Sequence, residues 1–141
     1  IADSEGEYVE LINLKGEPIN LLGLQLSKAG SSTKTVSSAV VLEDGAYFVF
    51  ARTDDTENGG IGADWPQCPS LTNSADTITL SYDGTEIDAL TYTTAFGFGD
   101  GIAAELRDPS LDNGVAESWC AAVGVSPSGD KGSPGEPNSC L

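Results

Sequence analysis

The pattern of hydrophobic and polar positions fits strands nearly throughout this chain and fits a helical repeat nowhere. The strand-like runs are Glu7–Leu14, Ile19–Lys28, Thr35–Leu42, Ala46–Arg52, Thr77–Tyr82, Glu86–Tyr92 and Ile102–Arg107. In the second run Leu22, Leu24 and Leu26 alternate with Gly23 and Gln25, which predicts one half-buried strand. No stretch sustains helical three-and-four spacing, and Gly, Pro, Ser and Thr recur every few residues. Turn chemistry falls between the runs: Lys15-Gly16, Glu43-Asp44-Gly45 and Asp83-Gly84. The last is the clearest hairpin signal, because Asp and Gly both tolerate the positive φ of a tight turn. Seven short strands at this spacing predict an antiparallel sandwich or barrel. Two stretches interrupt the rhythm, an acidic Gly-rich loop over Thr53–Pro69 and a Pro/Gly/Ser-rich tail over Val125–Leu141. With no internal repeat and no linker between them, the expectation is one domain over residues 1–141.

Charge changes the list of partners. Twenty-two Asp and Glu against six Lys and Arg give a formal net charge of −16. That field repels a nucleic-acid backbone and an anionic membrane, so neither is an expected partner. No apolar run is long enough to span a bilayer, and no basic-apolar leader is present, which predicts a soluble chain; a start at Ile1 and not at methionine predicts a processed or excised one. Histidine is absent, which removes Ser-His-Asp and Cys-His nucleophile arrangements and the imidazole metal ligands together. Cys68, Cys120 and Cys140 match no zinc spacing. One disulfide and one leftover thiol is the simplest account, and it implies an oxidising compartment.

Five blocks of residues resemble the lamin-tail domain of secreted bacterial proteins. Glu7-Tyr8-Val9-Glu10-Leu11-Ile12-Asn13 is similar to the family's E-[YF]-V-E-L-x-N opening, and Pro18 to Leu26 to the strand that follows it. Leu42 to Arg52 resembles its L-x-x-G-x-Y-x-V-x-A-R strand, and Leu71 to Leu80 its L-S-N-S-G-D-x-[IV]-x-L segment. Trp119-Cys120 and Gly132 to Cys140 resemble a W-C … G-T-P-G-x-P-N-x-C ending. The resemblance implies an immunoglobulin-like antiparallel β-sandwich that is extracellular or on the cell surface. It implies a non-catalytic structural or protein-interaction module, with Cys120 and Cys140 joined and the tail stapled to the sandwich. Family members carry one more strand of the I-N-E-[IV] kind, where this chain has only Ile1-Ala2-Asp3-Ser4 ahead of Glu5. That strand is then either very short, with Ile1–Ser4 filling the gap, or cut away, or supplied by another chain; a missing one leaves a bare sheet edge, open to a protein partner or to self-association by strand addition.

The remaining chemistry is sparse. Asp54-Asp55-Thr56-Glu57-Asn58-Gly59 approaches a D-x-[DN]-x-[DN]-G calcium loop, but Thr56 holds the third position and Trp65 the twelfth, which excludes an EF-hand. A solvated loop is the default; a Ca²⁺ site of another geometry is the alternative that Asp54, Asp55, Glu57 and Asn58 offer. Such a site, or aromatic rings stacking on a glycan, would make the chain an adhesion module. Phe96 and Phe98 in the Gly-rich Phe96–Gly101 stretch, with Trp65 in the acidic loop, are the rings to consider for an exposed contact. Glu7 and Glu10 point to opposite faces of a strand, and no residue set marks a catalytic cleft, so no enzymatic role is expected.

Overall fold

The computed structural model describes residues 2–29 and 32–140. It is an antiparallel, immunoglobulin-like β-sandwich, with ten strands among the described residues. After a single helical turn α1 (Asp3–Gly6) come β1 (Tyr8–Ile12), β2 (Ile19–Asn20), β3 (Gln25–Lys28), β4 (Thr33–Thr35), β5 (Val41–Leu42) and β6 (Tyr47–Ala51). The long hairpin β7 (Ala75–Tyr82) and β8 (Thr85–Thr93) follows, then β9 (Ala104–Leu106) and β10 (Trp119–Ala121). Four strands form the largest sheet in the order β4-β3-β7-β8; the others pair as β1-β6, β2-β5 and β9-β10. The hairpin predicted at Asp83-Gly84 is present, with Asp83 at φ 48° and Gly84 at φ 75°, the left-handed pair that matches the twist of the flanking strands.

The run Ile19–Lys28 is not one strand. It divides at Leu21–Leu24 into β2 and β3, which belong to different sheets. The amide of Leu22 donates to Asn20 Oδ1, that of Leu24 to the Leu21 carbonyl, and Gly23 sits at φ 88°. This turn rotates the chain, so Leu21, Leu24 and Leu26 are buried while Leu22 is exposed. The opposite run divides in the same way into β4 and β5, and backbone bonds between Val36 and Leu24 and between Gly23 and Val36 hold the corner together. A leucine alternation cannot report a sheet switch, because the same residues fit both readings.

The core gathers Leu26, Ile78 and Tyr92 from the four-stranded sheet against Leu42, Phe48 and Phe50. Phe48 and Phe50 meet edge to face at 5.0 Å. Cys68 is a buried free thiol in the same cluster, and burial pushes its pKa up to about 12, so it packs as a small hydrophobe. Asn13, nearly fully buried at the end of β1, donates to the carbonyls of Glu17 and Leu42 and accepts from the Lys15 amide. It is the closing Asn of the Glu7–Asn13 block, and its work is to hold a turn.

Candidate functional site

Among the described residues strand β1 is paired on one side only. Its register with β6 sets Val9 opposite Phe50 and Leu11 opposite Phe48. Bonds from Arg52 N to the Glu7 carbonyl and from Asn13 N to the Ala46 carbonyl bracket the ladder. Odd-numbered residues of β1 therefore direct their backbone groups at β6, and those of Tyr8, Glu10 and Ile12 point the other way. Strand β9 has the same asymmetry. It pairs with β10 through Glu105 opposite Cys120, which turns the backbone of Ala104 and Leu106 outward; the Leu106 carbonyl is taken by Asn138 Nδ2 at 2.9 Å.

Between these two edges lies a groove of about 1330 Å³, whose walls include every residue of β1 and of β9. Its floor is apolar: Leu11, Ile78, Leu80, Leu90, Phe98 and Leu106 all reach it. Leu11, Leu80, Leu90 and Phe98 are only half-buried, although each packs against the core. The space is the inner layer of the sandwich left uncovered on one side.

The outer face beside the groove is sealed by the C-terminal tail. A disulfide joins Cys120 to Cys140, with the Cα atoms 6.0 Å apart. Glu105 is the anchor that sequence reasoning missed. Only 4% exposed, it accepts from Ser133 Oγ at 2.6 Å, Ser139 N at 2.7 Å, Ser139 Oγ at 2.9 Å and Cys140 N at 2.9 Å. A buried carboxylate with four donors is well satisfied. Glu10 holds the tail from the other side by accepting from the Gly135 amide. Burial raises its pKa to about 7; that bond opposes the rise, and the neighbouring Glu105 and Asp64 add to it. At the head of β1, Glu7 accepts from the Leu71 amide at 3.1 Å and lies 3.5 Å from Arg52 Nε. Its pKa is also raised, chiefly by burial.

Residues 3–6 form the helical turn, and no strand covers β1 among the described residues; Ile1 lies outside them. Asn73 Nδ2 donates to Asp3 at 3.0 Å and Thr53 Oγ1 to the Glu5 carbonyl at 3.0 Å, which ties the turn to two loops beside the groove.

Asp54, Asp55 and Asn58 of the acidic loop spend their polar groups within the loop. Asp55 Oδ1 accepts from the amides of Gly62 and Ala63 and from Asn58 Nδ2. Asn58, fully buried, donates to the Thr53 carbonyl and accepts from Gly60 N and Ile61 N. Asp54 caps Thr56 through its amide and hydroxyl, bonds that hold its carboxyl below the usual range. Glu57 is exposed. Among the described residues no group of three or more His, Cys, Asp or Glu could hold a metal ion. Of the three rings considered for an exposed contact, Phe96 is buried, 5.6 Å from the Trp119 ring. Gly97 closes its turn with a left-handed backbone at φ 95° and lets Phe96 fold inward. Phe98 is half-buried, edge to face with Tyr92 at 5.5 Å, and Trp65 is half-buried against the core.

The family model described as Lamin Tail Domain matches residues 1–94. The chain belongs to the lamin tail domain family. Lamin tail domains are non-catalytic structural modules typical of secreted and cell-surface proteins, and the disulfide agrees with an oxidising, extracellular setting. The match takes in β1 and the whole of the β7–β8 hairpin; β9, β10 and the tail with its disulfide lie beyond it. One wall of the groove is thus inside the matched lamin tail segment and the other outside. No curated protein and no solved structure matches the chain. Among the described residues no helix is long and apolar enough to cross a membrane.

Proposed function

We propose that this lamin tail domain is a protein-interaction module of an extracellular assembly, docking a partner polypeptide or a second copy of itself along the open edge of β1. The observation that carries the reading is the one-sided pairing of β1 above an apolar floor. Unpaired N–H and C=O groups beside half-buried leucines are satisfied together by one added strand, which supplies backbone bonds and covers apolar surface in the same step. The chain's acidity points away from nucleic acid. No contact within the loop that holds Asp54, Asp55, Glu57 and Asn58 favours a calcium-dependent role, and the inward Phe96 weakens a glycan platform.

Site-specific photo-crosslinking in the secreting cell tests the reading. A photoreactive residue at Ile12, on the open edge, is expected to trap an extended segment of another polypeptide chain. The same residue at Val123, which is 65% exposed and away from the groove, is expected to trap none. Equal yields at the two positions, or none at Ile12, overturn it.

A further inference from the structure

The groove also constrains what can fill it. Val9 and Leu11 are held by β6, so an incoming strand meets the backbone groups of Tyr8, Glu10 and Ile12 on one side. On the other side it meets Ala104 N–H and C=O and Leu106 N–H. Five residues of β1 match about 17 Å of extended chain. Alternate side chains of that strand face Ile78, Leu80 and Leu90 on the floor, which favours Val, Ile or Leu there, and the intervening ones face the tail. The rim is acidic: Asp3, Asp88, Asp100 and Asp112 are exposed along the lining, and carboxylates outnumber its cations, Lys15, Arg107 and Lys131.

A second copy of this chain fits that rim poorly. It brings a further net charge of −16. Its longest strand free along one edge, β8, carries Glu86 and Asp88 within Thr85–Thr93. Like charges juxtaposed across an interface disfavour the contact.

We propose that the groove between β1 and β9 receives, in trans, an extended segment of a different protein, apolar at alternate positions and carrying Lys or Arg at its ends. This rests on the interaction-module reading above and names the partner's chemistry. The apolar positions complete the core under β1, the backbone closes both edges, and the basic ends meet the acidic rim. Electrostatic complementarity of this kind excludes wrong partners and speeds encounter more than it adds affinity.

Calorimetric titration of the full chain with three nine-residue peptides tests the inference. All alternate Val and Thr; one has Lys at both ends, one has Glu at both ends, and one has Lys ends with Pro at two central positions. The expected result is micromolar binding of the Lys-ended peptide, at least tenfold weaker binding of the Glu-ended one, none of the Pro-containing one, and weakening of the first by NaCl. Equal binding of Lys- and Glu-ended peptides overturns the basic partner while leaving strand docking in place. Binding of the Pro-containing peptide as tight as its parent's overturns the strand geometry. No binding by any of the three overturns the inference, and a crosslink from Ile12 to another chain would then show that the interaction-module reading survives it. A dimer built through β1, found by sedimentation, overturns the different-protein partner in favour of a second copy.

Discussion

Strands β1 and β6 lie side by side and share one register, yet they are buried to very different degrees. In β6 every residue from Phe48 to Ala51 is at most 2% exposed; in β1 not one residue from Tyr8 to Ile12 is fully buried. Phe50 and Val9 are direct partners, as are Phe48 and Leu11, so the difference is not in their ladder. It lies in what flanks them. The far side of β6 is occupied by the acidic loop, where Ala51 donates to the Trp65 carbonyl, Trp65 to the Val49 carbonyl, and Val49 to Asp64 Oδ2. The far side of β1 is the groove. Burial in a sandwich therefore follows a strand's neighbours as well as its own residues: β6 is apolar throughout and covered, while β1 carries Glu10 at its centre and has the groove beside it.

Truncating the two sides sharpens the contrast most. Phe50→Ala should cost about 3–5 kcal/mol, the usual loss for a fully buried ring, while Leu11→Ala, facing the groove, should cost about 1 kcal/mol because less of it is removed from water. Urea midpoints of the two variants check this, and equal losses would erase the distinction. Next in size is the staple. Cys120 and Cys140 close a loop of sequence separation 20, so replacing both with Ser should remove about 3 kcal/mol on the chain-entropy account. It should also raise amide exchange in β1 more than in β6, since the tail bonds to Glu10 of β1 and to Glu105 and Leu106 of β9.

How much of this was legible in the sequence depends on whether a feature is local. The Asp83-Gly84 hairpin could be read directly, since turn chemistry is local. The Cys120–Cys140 pairing followed only from the likeness of the ending to a family pattern. The break at Leu21–Leu24 was hidden because both sheets want leucines. Strand β10 is three residues long, too short for any period to register. Glu105 looked like one acid among twenty-two; its burial is created by Ser133, Ser139 and Cys140, about thirty residues away. The groove is a space left by pairing, which no single segment encodes. The family pattern raised a bare edge as one of several outcomes, and gave no sign of the groove's second wall, β9.

A smaller effect should appear with pH. The folded pKa of Glu10 is about 7, above the ordinary value for Glu of roughly 4.3. The native state therefore binds this proton more tightly than the unfolded chain. The stability it contributes is fully present below the unfolded pKa and is lost as pH rises through about 7. Glu10→Gln keeps an acceptor for the Gly135 amide and removes the charge. Its stability relative to the parent should rise by on the order of 1–2 kcal/mol between pH 4 and pH 8, read from denaturant curves; a difference that does not vary with pH would contradict it. Smallest of all is screening. NaCl should add up to about 1 kcal/mol by weakening repulsion among the excess carboxylates, and millimolar Ca²⁺ somewhat more by bridging them. Flat melting midpoints across both would contradict this. The gain should be larger at β1 amides, near Glu7, Glu10 and Glu105, than at β6.

The one-sided pairing of β1 is the claim on which the rest stands, and residue-resolved amide exchange of the isolated monomer tests it most directly. The account predicts an alternating pattern, with slow exchange at Val9 and Leu11, whose N–H groups face β6, and fast exchange at Tyr8, Glu10 and Ile12. Uniform protection of all five amides in the monomer would show that the open edge is already filled, and would contradict it.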